Sequence, residues 1–198
     1  MEPLETIVFD AASSLWVYPF IVLLSALDAF TIILPSETVV AGLSSTAVSL
    51  GAPNVFALGA AAALGAHLGD LGVFVVGRLL ARLRWVTPGS RVDAAMRWTR
   101  RRLDAQGPLY IMTARYIPYG RLIVNATAGW TGFPFRRFVA LSAVGCVIWA
   151  TAYVGIGAGA GAWFGDQWWL AIVIAVVLAL VVGWGVDRII RSRDQEAS

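Results

Sequence analysis

Five ionisable side chains lie in stretches of this 198-residue chain that are otherwise apolar enough to enter a bilayer: Asp28, Glu37, Asp70, Arg115 and Arg121. Arg115 and Arg121 bracket Pro118 in the run Ala114-Arg115-Tyr116-Ile117-Pro118-Tyr119-Gly120-Arg121, which leads on to Gly129. Proline removes a backbone donor and disfavours helix in the residue before it, so a break is predicted near Ile117. Two guanidinium groups beside a helix break form a seat for an anionic group, phosphate above all. Asp28 and Glu37 flank a second proline, Pro35, where carboxylates can bind and release protons. His67 precedes Asp70 by three residues and shares its helix face, placed either to relay protons or to hydrogen-bond Asp70 as a neutral ring.

Each of these five charges costs about 2.5–3.5 kcal/mol at the centre of a membrane helix. Left unpaired they would together cost roughly 12–17 kcal/mol, as much as a whole domain's stability. They must pair with one another or line a wet cavity. Two readings follow: a substrate site, in which the arginines hold an anion while Glu37 or Asp28 titrates, or an internal salt-bridge network between helices.

The residue inventory excludes other chemistry. All basic residues are arginine, which removes Schiff-base and P-loop lysine mechanisms. One cysteine, Cys146, and one histidine leave no disulfide framework and no metal cluster. Ser44 with His67 suggests a serine dyad, but no G-x-S-x-G elbow accompanies it. The glycines at 155, 157, 159 and 161 follow no strand, which argues against a dinucleotide fingerprint and for tight helix contact. Asn125-Ala126-Thr127 fits a glycosylation acceptor, though its place in a membrane hairpin argues against use. No enzyme activity, cofactor, metal or nucleic-acid partner is expected.

The elements that must position these residues are membrane elements. The chain is 59% apolar and 14% charged, with nine Trp, the profile of an all-α polytopic membrane protein in a single domain, 1–198. Residues 15–54 read as an interfacial helix, interrupted by Pro19, and a first re-entrant hairpin. Residues 55–80 form a transmembrane helix, and 88–106 a cytoplasmic amphipathic helix with Val92, Ala95, Met96, Thr99 and Leu103 on one face. Arg91, Arg97, Arg100, Arg101 and Arg102 crowd the rest, which suits a helix lying on an anionic lipid surface, or one in a solvated loop. A second re-entrant hairpin is predicted at 109–133, then transmembrane helices at 138–162 and 168–186. Arginines are missing from residues 1–77 and gather at 78–102, 136–137 and 188–193. The positive-inside rule then puts the C-terminus in the cytoplasm and the N-terminus outside. An acidic broken hairpin early and a basic one late is the pattern of two inverted repeats, here with one C-terminal helix added.

Arg115-Tyr116-Ile117-Pro118-x-x-Arg121 with Gly129 resembles the R-F-I-P-x-x-R signature of the DedA (VTT) family of membrane proteins. Leu34-Pro35-Ser36-Glu37 resembles its L-P-G-[ED], and Gly69-Asp70…Phe74…Gly77-Arg78 its G-D-x-x-x-Y-x-x-G-R. Ser36 replaces the usual Gly, Phe74 the usual Tyr, and Asp28 stands where Glu is usual. The resemblance spans about residues 20 to 160. It implies re-entrant hairpins and transport of a phosphate-bearing lipid, such as polyprenyl phosphate or a glycerophospholipid, between leaflets of the cell membrane, with protons or another ion as coupling partner. Arg115, Arg121, Glu37, Asp28 and Asp70 are the substrate-binding candidates. Glu37, Asp28 and His67 are the proton-coupling candidates, and Pro35, Pro118 and Gly129 the structural breaks. A proton-coupled transporter of small ions or cationic compounds, using the acids alone, is the other reading. Assembly into a homo-oligomer is left open.

Overall fold

From Val55 the chain runs for 28 residues to Arg82 with no proline, and it forms one helix throughout. At 1.5 Å per residue this is about 42 Å, enough to cross a hydrocarbon core of about 30 Å. Asn54 starts it: its Oδ1 accepts the backbone N–H of Ala57 at 3.0 Å, a side-chain cap on an otherwise orphan donor. A second long apolar helix spans Phe135–Trp163. These two are long and apolar enough to span a membrane. The computed structural model describes residues 2–31, 36–82, 89–90, 92–94, 97–101, 103, 111, 120–163, 170, 173–174, 177 and 181.

The main helices are α1 (Glu2–Ser13), α2 (Val17–Asp28), α3 (Ser36–Ser49), α4 (Val55–Arg82), α5 (Gly120–Trp130) and α6 (Phe135–Trp163). No strand occurs among the described residues. α4 is the central member, packed along α2, α5 and α6, while α3 runs along α6. Both long helices extend past their predicted ends of 55–80 and 138–162. Pro19 does not interrupt α2. It sits in the first turn, where its missing N–H has no partner to lose.

Helix approach depends on small residues. A Cβ on Gly65 or Gly69 would collide with the α2 backbone, one on Gly77 with Ala126 of α5, and one on Gly157 or Gly161 with α3. Such contact is how helices associate in lipid, where apolar burial gives little drive. Gly155 and Gly159, read from sequence as part of the same contact, face open space.

Gly129, predicted as a break, lies inside α5, where a Cβ would strike the Phe74 carbonyl oxygen. Its role is close approach. The chain turns at Gly132, at φ +75°, where Phe133 N–H bonds the Ala128 carbonyl at 2.9 Å and Gly132 N–H that of Gly129 at 3.2 Å. This Schellman pair ends α5.

Two apolar clusters fill the interior. One gathers Ile21, Val40, Leu58, Ala66, Cys146, Trp149 and Tyr153. The other gathers Phe74, Leu103, Ile111, Val124, Ala128 and Phe138. Leu103 and the buried Thr99 therefore turn part of the predicted amphipathic face of 88–106 toward the protein, while Val92 and Trp98 are exposed. Pro35, Pro118 and Arg115 lie outside the described residues, as does most of the predicted span at 168–186.

Candidate functional site

Along α4, Asp70 lies between Ala66 of the first apolar cluster and Phe74 of the second; along α6, Ser142 lies between Cys146 and Phe138. The polar residues thus form a layer at the middle of α4 with an apolar cluster on each side. Asp70 is its centre, 5% exposed. One carboxylate oxygen, Oδ1, accepts Arg121 Nε at 2.6 Å and Asn125 Nδ2 at 2.8 Å. The other, Oδ2, accepts Ser142 Oγ at 2.8 Å and the Cys146 thiol at 3.4 Å. Donors on both oxygens suit an ionised carboxylate, which only accepts.

Arg121 is bound on three sides. Besides Asp70, its Nη1 donates to Asp28 Oδ2 at 3.1 Å and its Nη2 to the Ala66 carbonyl at 3.0 Å. Its position follows from local structure: α5 begins at Gly120, and Arg121 and Asn125 stand four residues apart on one face. Asp28 is the last residue of α2, so four elements, α2, α4, α5 and α6, meet through one guanidinium and one carboxylate. Three sequence-predicted residues, Asp28, Asp70 and Arg121, come together here.

His67 belongs to the same layer by another route. Its Nδ1 lies 3.0 Å from Ser142 Oγ, so the link to Asp70 passes through a hydroxyl on α6. Glu37 stands apart. It lies in the first turn of α3, where an acid suits the helix N-terminus, and among the described residues it accepts a hydrogen bond from Ser36 Oγ at 3.5 Å. Arg115 lies outside the described residues. Ser44 and His67 are not brought together, since Ser44 Oγ donates to the Val154 carbonyl at 2.8 Å.

The VTT domain family matches residues 34–159 of the chain. The chain belongs to this family, the DedA family. An uncharacterized membrane protein of Mycobacterium tuberculosis is 30% identical over 179 residues, covering 84% of this chain and 81% of that protein. Its counterpart in Mycobacterium bovis matches equally. An alkaline phosphatase-like protein of Lactococcus lactis is 29% identical over 149 residues, 68% of this chain and 64% of the relative. No solved structure matches. This VTT-domain chain is thus a helical membrane protein whose family places it among transporter-like proteins.

Sequence reasoning missed Ser142, Cys146 and Asn125 as members of the site. Asn125, which in the sequence fits only a glycosylation pattern, is 3% exposed and bonded to Asp70. A signal existed for two of them. Asn125 follows Arg121 by one helical turn, and Ser142 interrupts the apolar face of a membrane span. Phe74, where the family motif has Tyr, is fully buried, stacked on Phe138 at 4.4 Å between centroids, with the Arg78 guanidinium 5.5 Å from its ring.

Proposed function

We propose that this VTT-domain protein moves a phosphate-bearing lipid, a polyprenyl phosphate or a glycerophospholipid, between leaflets, with proton uptake as the driving step. The observation that carries this reading is one guanidinium held between two carboxylates in a buried layer. Asp28, Asp70 and Arg121 together have a formal charge of −1, and one proton neutralises them. Protonating either carboxylate weakens its hold on Arg121 and releases donors suited to a phosphate. Carboxylate and lipid phosphate then compete for the same guanidinium, which couples the proton to the cargo. Arg115 is proposed as a second phosphate donor and Glu37 as a further proton acceptor. By the arginine distribution, the protein sits in the cell membrane as a multi-pass protein with its C-terminus in the cytoplasm.

The test is reconstitution in liposomes with a fluorescent phosphate lipid and an imposed pH gradient. Gradient-driven lipid movement is expected for the wild type and is expected to be lost in Asp28→Asn, Asp70→Asn and Arg121→Lys. Wild-type vesicles that move the lipid no faster than empty ones would end this reading.

A second reading, proton-coupled transport of small ions or cationic compounds, is favoured by the pairing of Arg121 with two carboxylates, which makes it a counter-charge. Cation flux that survives Arg121→Lys, without lipid movement, would select it.

A further inference from the structure

His67 is partly exposed, whereas Ser142 and Asp70 are 3% and 5% exposed. The three form a hydrogen-bonded chain from a partly buried residue to a buried one: His67 Nδ1 to Ser142 Oγ at 3.0 Å, and Ser142 Oγ to Asp70 Oδ2 at 2.8 Å. A serine hydroxyl has one hydrogen, and an ionised carboxylate only accepts. While Asp70 is ionised, the Ser142 hydrogen is committed to it, so His67 must donate to Ser142 through Nδ1–H. The neutral ring is therefore held as the Nδ1–H tautomer.

We propose that Ser142 is the relay through which a proton arriving at His67 reaches Asp70. The step balances as three coupled transfers. A proton binds Nε2 of His67; the Nδ1–H bond breaks as Ser142 Oγ takes that hydrogen; the original hydroxyl hydrogen passes to Asp70 Oδ2. The products are a neutral Nε2–H histidine, an intact serine with its hydroxyl reversed, and a neutral Asp70 whose grip on Arg121 has lost its charge. Ser142 is thus a positioning residue for the proton, fixed on α6 while donor and acceptor both belong to α4.

The surrounding charges are consistent with Asp70 as the terminus. Arg121 from α5 bonds its Oδ1, Asp28 from α2 shares that guanidinium, and the Cys146 thiol from α6 shares Oδ2. Glu37, the acid on α3, bonds Ser36. The inference rests on the proton-coupled reading above for its purpose, though not for its geometry.

The chain contains a single histidine, so nitrogen-15 NMR of histidine-labelled protein in lipid nanodiscs reads His67 alone. Above its titration the ring is expected as Nδ1–H, in the wild type and in Ser142→Thr, which keeps the hydroxyl. Ser142→Ala is expected to release it to Nε2–H. In liposomes, Ser142→Ala and His67→Gln are expected to lose the stimulation of transport by a proton gradient, and Ser142→Thr to retain it. An Nε2–H ring in the alkaline wild type would overturn the relay, and needs no variant to fold. So would full proton stimulation in Ser142→Ala. Wild-type protein that carries no lipid but holds the Nδ1–H ring would remove the lipid reading and leave the relay standing.

Discussion

The contact of α3 with α6 and the contact of α4 with its neighbours at Asp70 solve the same problem in opposite ways. Along α3 and α6 the backbones close directly: Gly157 and Gly161 lie against the carbonyls of Ala41 and Ser45, and Ser44 Oγ donates to the Val154 carbonyl. No charged group takes part in these contacts among the described residues. At Asp70 the helices are joined by side chains, with two carboxylates, a guanidinium, an amide, a hydroxyl and a thiol in one network. Lipid offers little apolar drive for either contact. The first is held by packing, which has one arrangement and no dependence on pH. The second is held by charges whose balance changes with a single proton. The difference sets α3–α6 apart as a packed contact and the α2–α4–α5–α6 layer as the one whose charge balance a proton alters.

The largest expected effect comes from removing the shared cation. Arg121→Gln leaves two carboxylates facing each other and is expected to cost about 3–5 kcal/mol, the usual loss when one partner of a buried pair is deleted. Adding Asp70→Asn removes a stranded charge and is expected to restore part of that loss. Unfolding in detergent for the singles and the double gives the coupling energy, and strict additivity would show that the pair does not interact.

Next is the packed contact. Gly157→Ala sets a methyl group against the Ala41 carbonyl, where backbone must shift, and is expected to cost about 1–3 kcal/mol. Gly159→Ala, two residues away, meets nothing within 4 Å and is expected to be neutral or to gain up to about 1 kcal/mol from helix propensity. Equal melting temperatures for the two variants would erase the distinction between the faces of α6.

A smaller effect belongs to Ser44. A single interhelical hydrogen bond in a membrane protein is worth about 0.6 kcal/mol on average. Ser44→Ala is expected to lose roughly that, with no change in how stability varies with pH. A pH-dependent loss would mean that the α3–α6 contact is electrically linked to Asp70 after all.

The smallest effect is expected at Asp93. The Gly89 N–H, at 2.7 Å, and then the Arg97 guanidinium hold the partly exposed Asp93 carboxyl below the usual carboxylate range. Ser90 Oγ accepts the Asp93 N–H at 3.1 Å, completing a helix-start motif. Because the folded value is depressed, this contribution is present above the unfolded value of about 3.9. It is lost as pH falls through the lower folded value. The Gly89 amide resonance should follow that titration in the wild type and lose it in Asp93→Asn.

Several parts of this architecture were legible in the residues. Uninterrupted apolar runs without proline forecast α4 and α6, because length and composition alone decide whether a helix can cross a bilayer. The cost of isolated charge forecast that Asp28, Asp70 and Arg121 would find partners. The breaks expected at Pro19 and Gly129 do not occur, since proline and glycine mark breaks only by position. Pro19 falls in a first turn, and Gly129 falls against another backbone.

The sequence by itself determined that this is a helical membrane protein of the VTT kind with buried charges that cannot stand alone. Those conclusions depend on composition, motif order and the cost of desolvating an ion, none of which needs to know where a helix lies. Tertiary structure decided which charge meets which. Asp28 and Arg121 are 93 positions apart, and Ser142 is 72 from Asp70, so only the packing of α2, α5 and α6 around α4 brings them within bonding distance. It also decided that His67 reaches Asp70 through Ser142: a hydroxyl on a neighbouring helix becomes a partner only once that helix is docked, and a pattern of spacings along one helix gives no information about the next.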